Sequence, residues 1–172
     1  MPILGETNAV TALEDYSEAI QSVYEQTTKG INEGKSPDQI GHDVKLPKHL
    51  KDKPYLIEFY GTVPHAVRAI YTGLLGWFDG NPTTLNPLEP RIKAQKIAEL
   101  AGGTKKLSEQ MVAALADQQF QWALELSDHL KWLDDGNRAL ARKVKIKALR
   151  ALGAREYNAP NRNYYLSYAN EL

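Results

Sequence analysis

Residues 60–82 read YGTVPHAVRAIYTGLLGWFDGNP, and this stretch predicts a central helix. Proline at position 64 suits the first helical turn, because its φ is fixed and it has no N–H, so we expect the helix to begin at Thr62 or Val63. Asp79-Gly80-Asn81-Pro82 favours a turn and should end it. The apolar residues with helical spacing are Val67, Ile70, Tyr71, Leu74, Leu75 and Phe78.

Two glycines lie inside this predicted helix, Gly73 and Gly76. Each costs about 1 kcal/mol relative to alanine in a helix interior. The stretch therefore predicts a close backbone approach here, from another helix or from a ligand.

Helical signals continue on both sides of the central stretch. A helix is predicted from Thr11 to about Asn32, with Leu13, Tyr16, Ile20, Val23, Tyr24 and Ile31 on its apolar face. A capped short helix follows from Ser36-Pro37 through Val44. After a proline-rich loop that ends at Pro90, the predicted helices are Pro90–Leu100, Lys105–Asp117, Gln119–Asp134, Arg138–Leu152 and Asn161–Glu171.

The predicted fold class is all-α, with about seven helices in antiparallel hairpins, because short links join helices of similar length. The hairpins Lys105–Asp134 and Arg138–Glu171 repeat at about 34 residues, the period of tetratricopeptide-like arrays. We expect a single domain over residues 1–172. Its N-terminal helices and connector would occupy residues 1–54, and a core helical array residues 55–172.

Residues 60–82 resemble the helical middle segment of the zinc-dependent alkyl sulfatases. The resemblance continues in AGG at 101–103, QWALEL at 121–126, RNYYL at 162–166 and ANEL at 169–172. It implies a helical dimerisation domain that forms a homodimer. In that family the domain stands beside a metallo-β-lactamase-type catalytic domain, so the resemblance also implies such a domain in cis and a sulfate ester as substrate.

Zinc is the cofactor that this resemblance implies, but we expect its ligands upstream of this chain. The four histidines are His42, His49, His65 and His129, and they do not form the His-x-His-x-Asp-His cluster of the family. The Asp134-Asp135 pair has no second partner at a catalytic spacing. The chain alone is therefore predicted to hold no cofactor and to be catalytically silent, whereas the parent protein would hydrolyse sulfate esters.

Tyr60, His65 and Arg68 are the candidate substrate-binding residues. The resemblance implies that the start of the central helix approaches the active-site cleft, where a phenol and an imidazole could bind a sulfate and helix N–H groups would attract it. The alternative is structural: Tyr60 is a core aromatic, His65 a first-turn residue, and Arg68 the partner of Asp79 or Glu58.

The chain departs from the family at three positions near these candidates. It has Ala66 where many members carry asparagine, and Thr72-Gly73 where they carry a bulkier polar pair. These departures raise the alternatives of a different substrate and of a degenerate site in the parent protein.

Charge and composition disfavour other classes of function. The chain has 21 basic and 21 acidic residues, no cysteine, and no apolar run near the roughly 20 residues that span a bilayer. No leader precedes residue 30, which leaves localisation open between cytoplasm and periplasm. The basic run Arg138–Arg150 has helical apolar spacing and no interleaved aromatics, so we interpret it as a solvated face and predict no nucleic-acid binding.

A second functional hypothesis is a free-standing helical adaptor. The paired helices after Lys105 would form a groove for a protein or peptide, lined by exposed aromatics such as Trp122 and Trp132.

Overall fold

The computed structural model describes residue 3, residues 5–133 and residues 136–172. Within these residues the chain forms eight α-helices and no strand, which confirms the all-α prediction. The helices are α1 (Glu6–Asn32), α2 (Pro37–Asp43), α3 (Val63–Leu75), α4 (Pro90–Leu100), α5 (Thr104–Ala116), α6 (Phe120–Leu130), α7 (Arg138–Arg155) and α8 (Ala159–Glu171). Two short 3-10 turns cover Pro54–Leu56 and Pro82–Thr84.

Some predicted boundaries were wrong. Helix α1 begins at Glu6 rather than Thr11, and α6 ends at Leu130. The Asp134-Asp135 pair lies outside the described residues. The chain divides into two compact units, residues 1–86 and 87–172. A single domain with an internal boundary at residue 54 stays a prediction.

In the first unit, α1 and α2 pack on α3 around a small apolar core. The core consists of Val23, Ile40, Val44, Val67 and Tyr71. Helix α2 begins as predicted, because the Ser36 hydroxyl accepts the Gln39 N–H and the Gln39 side chain accepts the Ser36 N–H. A polar side-chain cap therefore holds the first turn of α2.

The apolar face predicted for α1 is mostly exposed, so that part of the prediction was wrong. Leu13, Tyr16, Ile20 and Tyr24 face solvent. The buried residues of α1 are smaller: Ala12, Ala19, Val23, Thr27 and Gly30. Small residues allow close packing here, and a Cβ at Gly30 would lie only 2.7 Å from Ile40 Cγ1.

Helix α3 begins at Val63 with Thr62 as its N-cap, as predicted, but ends at Leu75. Gly76 is the C-cap with φ +79°, a conformation that glycine adopts without strain. The chain itself makes no close approach at either glycine, since nothing lies within 4 Å of a Cβ placed at Gly73 or Gly76. Beyond the helix, Asp79 Oδ1 accepts the Asn81 N–H at 3.0 Å, which fits the turn predicted for residues 79–82.

In the second unit, α5 to α8 pack as consecutive neighbours around one core, and α4 contacts α5 and α6. Arg155 lies over the Phe120 ring at 4.5 Å, while Lys145 pairs with Asp128, so α6 and α7 run antiparallel. The predicted antiparallel packing of neighbouring helices is confirmed for this pair. The centre of the core contains Leu107, Met111, Leu126, Leu130 and Ala148.

The basic run on α7 is not uniformly solvated. Lys145 is largely buried, contacts the Asp128 carboxylate, and lies 5.1 Å from the centroid of the Tyr168 ring. The interpretation as a solvated face was wrong for this one residue, because α6 supplies an acid and α8 an aromatic ring. Arg142, Lys143 and Lys147 are exposed, as expected.

Candidate functional site

An apolar groove of about 520 Å³ lies in the first unit. Its walls are α1, the segment 54–62 and the first half of α3. The lining includes Tyr16, Ile20, Leu46, Tyr55, Leu56, Ile57, Glu58, Phe59, Tyr60, Thr62, Val63, Ala66 and Ile70. Glu58 is the one acidic or basic side chain among the residues that line this groove. The groove is therefore suited to an aliphatic group.

Polar contacts with α1 hold the wall segment in place. Lys53 Nζ lies 3.0 Å from Asp15 Oδ2, and the Tyr55 hydroxyl donates to the same carboxylate. The Tyr16 hydroxyl in turn donates to the Tyr55 carbonyl at 2.7 Å. These contacts fix one wall of the groove relative to α1.

The same contacts move two pKa values in opposite directions. The Tyr55 hydroxyl and Lys53 lower the pKa of Asp15, because both stabilise its carboxylate. The hydrogen bond to Asp15, with burial, raises the pKa of Tyr55, because it favours the protonated phenol. Asp15 is thus ionised and Tyr55 neutral over the physiological pH range.

Tyr60 lies at this groove with 77% of its surface exposed. It is not the core aromatic of the structural alternative. His65 and Arg68 are exposed and do not line the groove, whereas Val63, Ala66 and Ile70 on α3 do. The structure therefore brings Tyr60 to the apolar groove and leaves the other two candidates on a different face of α3.

Arg68 forms an ion pair, but with neither of the predicted partners. Its Nη2 lies 3.0 Å from Asp38 Oδ1 on α2. Asp79 lies beyond the end of α3 and bonds its own loop, while Glu58 accepts the N–H of Val63. Both predicted partners were wrong, because each carboxylate is used for a local backbone cap.

The N–H groups at the start of α3 are bonded within the chain. The Val63 N–H donates to the Glu58 carboxylate, and the His65 N–H donates to Thr62 Oγ1 at 3.2 Å. The Ala66 N–H bonds the Thr62 carbonyl at 3.0 Å, and Pro64 has no N–H. The free donors expected here for an anion are therefore already satisfied, with an acid beside them.

The described residues contain no group of three or more His, Asp or Glu side chains that could hold a metal ion. One histidine has a carboxylate as its partner, since His49 Nε2 lies 3.0 Å from a Glu18 carboxylate oxygen. Burial, with the nearby Lys93, lowers the pKa of His129. No helix among the residues that the structure describes is long and apolar enough to cross a membrane.

Sequence reasoning missed most of the groove. The signal was the mostly apolar segment PYLIEFY at 54–60, which precedes the central helix. The second wall could not be found from pattern, because Tyr16 and Ile20 have the spacing of a buried helix face. An exposed apolar wall and a core face have the same period in sequence.

The described residues thus form an all-helical module with an apolar groove and an exposed phenol at its edge. The sequence model of the family described as alkyl sulfatase dimerisation matches residues 36–172. The chain belongs to this family.

Similar proteins agree with this assignment. The chain is 40% identical to a linear primary-alkylsulfatase from Pseudomonas sp. (strain ATCC 19151) and 33% identical to an (R)-specific secondary-alkylsulfatase from Pseudomonas sp. Each match covers 99% of this chain, but only 32% and 26% of those proteins. The structure of the stereoselective inverting sec-alkylsulfatase Pisa1 from Pseudomonas sp. matches with a TM-score of 0.89 and 33% identity, over 99% of this chain and 27% of that one. The chain thus spans about a third or less of these relatives.

Proposed function

We propose that this chain is the non-catalytic dimerisation domain of an alkyl sulfatase-like hydrolase and lines one side of its substrate cleft. The complete protein would be a homodimer that hydrolyses sulfate esters, with zinc held by a metallo-hydrolase domain in cis. The described residues do not fit a zinc site, so no step of hydrolysis is assigned to them. The observation that carries the proposal is the apolar groove with Tyr60 at its edge.

The groove suits the alkyl part of such an ester better than its sulfate. Burial of each CH₂ group contributes about 0.8 kcal/mol, and the groove is mostly apolar. A sulfate is disfavoured deep in the groove, because Glu58 is an acidic side chain of its lining and no basic side chain lines it. Tyr60 would donate its hydroxyl to the sulfate, and the catalytic domain would supply the other charged contacts.

A ligand titration of the isolated chain tests the groove. We expect octyl sulfate and octanol to shift the NMR signals of groove residues at similar concentrations, and inorganic sulfate to leave them unchanged. Ala66→Trp should fill the groove and abolish the octyl sulfate shifts. Ala69→Trp is the matched control, because Ala69 is exposed and does not line the groove. Equal binding by the two variants would contradict the proposal.

The candidate sulfate-binding residues are tested in the complete protein by sulfate release. We expect Tyr60→Phe and His65→Ala to lower kcat/KM, because each variant removes a hydrogen-bond donor for the anion. Unchanged kcat/KM in both variants would remove these residues from the site.

The half-exposed Trp122 and Trp132 favour a second candidate function, the free-standing adaptor. An immunoblot of the source cells separates the two. A native product several times larger than this chain supports the hydrolase domain. A product of 172 residues favours the adaptor.

A further inference from the structure

The exposed side of α7 carries basic side chains that have no acidic partner. Helix α7 contains seven basic residues and no acidic one in 18 positions, whereas the overall composition would give about two of each. Four of them are exposed and make no hydrogen bond or ion pair with another side chain among the residues that the structure describes: Arg142, Lys143, Lys147 and Arg150. We call these four the α7 basic face.

Packing fixes the direction of this face. The opposite side of α7 is buried in the core of the second unit through Ala141, Val144, Ala148 and Leu149. A Cβ at Gly153 would lie 2.8 Å from Leu166 Cδ2, so α7 packs closely on α8 there. Helix α7 therefore cannot turn its apolar side outward without losing this core, and the α7 basic face stays directed to solvent.

We propose that the α7 basic face binds the surface of aggregated sulfate esters, where anionic head groups lie side by side. This inference rests on the proposed function in one respect, that the substrate is an alkyl sulfate. Such an ester has an anionic head and an apolar tail, so long-chain members aggregate with their tails buried and their heads outward. The inference adds a contact with many substrate molecules at once, at a place other than the groove.

The charge distribution of the chain favours an anionic partner at this place. Residues 87–172 contain 14 basic and 10 acidic residues, whereas residues 1–86 contain 7 and 11. The net charge of zero for the whole chain therefore hides a positive second unit. Asp128 of α6 contacts α7, but it pairs with Lys145 and Lys131 rather than with the α7 basic face. The face thus keeps its positive charge, which attracts anions.

The arrangement of the face suits an extended surface rather than a single small anion. Lys143, Lys147 and Arg150 recur at i, i+4 and i+7, so they lie along one side of the helix over about 10 Å. One side of a single helix does not enclose a ligand. Against a charged surface each basic residue strengthens binding about fivefold, so four acting together give an attraction that one of them would not.

The composition of the face argues against two other occupants. Permanent burial against the rest of a longer polypeptide is disfavoured, because lysine is depleted from interface centres and each unpaired charge would lose its hydration. A nucleic acid is disfavoured, because α7 contains no aromatic residue on which a base could stack. A layer of hydrated head groups meets neither objection, since the basic side chains remain in water when they contact it.

Co-sedimentation of the 172-residue chain with vesicles tests the inference. The probe is a phosphatidylcholine vesicle that contains hexadecyl sulfate, and the neutral comparison contains hexadecanol instead. We expect the chain to bind the first vesicle and not the second. High salt should release the bound chain, because salt screens exposed charges.

Charge reversal assigns the contact to α7. Lys143→Glu combined with Lys147→Glu should weaken binding to the hexadecyl sulfate vesicles by about 30-fold or more, since two attractions of about fivefold each are lost. Lys96→Glu combined with Lys105→Glu is the matched control, because these lysines are exposed on α4 and α5 and the change in net charge is the same. The control should bind nearly as the wild type does. Thermal melts check that both double variants remain folded.

The outcomes separate this inference from the proposed function. Vesicle binding that is absent in the wild type, or that the two double variants weaken equally, overturns the inference and leaves the groove proposal intact. Tighter binding to duplex DNA than to the vesicles also overturns it. If octyl sulfate does not shift the groove signals of a chain that still binds the vesicles through α7, the groove proposal fails and the α7 basic face remains.

Sulfate release by the complete protein gives a second readout. The α7 double variant should release sulfate from vesicle-bound hexadecyl sulfate about tenfold or more slowly at limiting substrate, the equivalent of one or two lost contacts with the surface. Its kcat/KM for monomeric octyl sulfate should not change, because a single ester molecule does not need the face. An equal loss on both substrates, or no loss on either, would overturn the inference.

Discussion

Lys53 Nζ lies 3.0 Å from Asp15 Oδ2, and this ion pair holds the segment 54–62, one wall of the apolar groove, against α1. Neither residue lines the groove itself. Their pairing, with the Tyr55 hydroxyl on the same carboxylate, nevertheless sets where Tyr55 and the rest of segment 54–62 lie. The shape of the groove therefore depends on a polar cluster behind its wall.

Acid should loosen this wall. The pKa of Asp15 is lowered in the folded chain, so the stabilisation from its ionised form is fully present above its ordinary pKa and is lost as the pH falls through the lowered value. We expect the NMR signals of Tyr55 to change over that acidic range. Asp15→Asn should remove this pH dependence, and an unchanged titration in the variant would contradict the assignment.

Two helical glycines should respond in opposite ways to alanine. Gly30→Ala places a Cβ 2.7 Å from Ile40 Cγ1 in the core, so we expect a loss of about 1–3 kcal/mol in unfolding free energy. Gly73→Ala places its Cβ in open space and should stabilise the monomer by up to about 1 kcal/mol through helix propensity. Urea unfolding of monomeric samples measures both free energies. Equal effects of the two substitutions would show that the close packing of Gly30 on Ile40 does not affect stability.

The sequence predicted helices well and exposure poorly. The Ser36 capping box and the Thr62-Val63-Pro64 start were recognisable, because caps are local and depend on a few adjacent residues. The end of α3 was misplaced by three residues, because the apolar period continues through Phe78 while the Gly76 backbone turns.

The exposure of a helix face depends on what packs against it, and the spacing of apolar residues in the sequence does not show this. Leu13 and Ile20 have the spacing of core residues, yet both are exposed. At the candidate site, Tyr60 and its stretch were identified through the resemblance. The Asp38 partner of Arg68 could not be predicted, because the two residues lie 30 positions apart on different helices.

The sequence pattern places Lys145 on a solvated face of α7, but its side chain is largely buried, so we expect its loss to destabilise the chain. Lys145→Met removes its contacts with Asp128 and with the Tyr168 ring, and we expect a cost of about 1–2 kcal/mol, between the values of surface and buried pairs. Burial raises the pKa of Asp128, but the opposite effect of Lys145 and Lys131 is larger, so the pKa is lowered overall. Lys145→Met should therefore also move the pKa of Asp128 upward. Lys147→Met is the control and should change unfolding by less than about 0.5 kcal/mol, since Lys147 is exposed. Equal losses of unfolding free energy in the two variants would show that the contacts of Lys145 do not stabilise the chain.

Arg68 offers a test that separates a structural ion pair from substrate recognition. The Arg68 and Asp38 side chains are 52% and 76% exposed, so their pair should contribute at most about 1 kcal/mol. We expect Arg68→Met and Asp38→Asn to unfold close to the wild type. If Arg68 binds the sulfate of the substrate, Arg68→Met should lower kcat/KM of the complete protein by about tenfold or more, the equivalent of one charged contact. Asp38→Asn removes the same ion pair but keeps the guanidinium, so its kcat/KM should not fall. An equal loss of activity in both variants would instead assign Arg68 the structural role of holding α2 against α3.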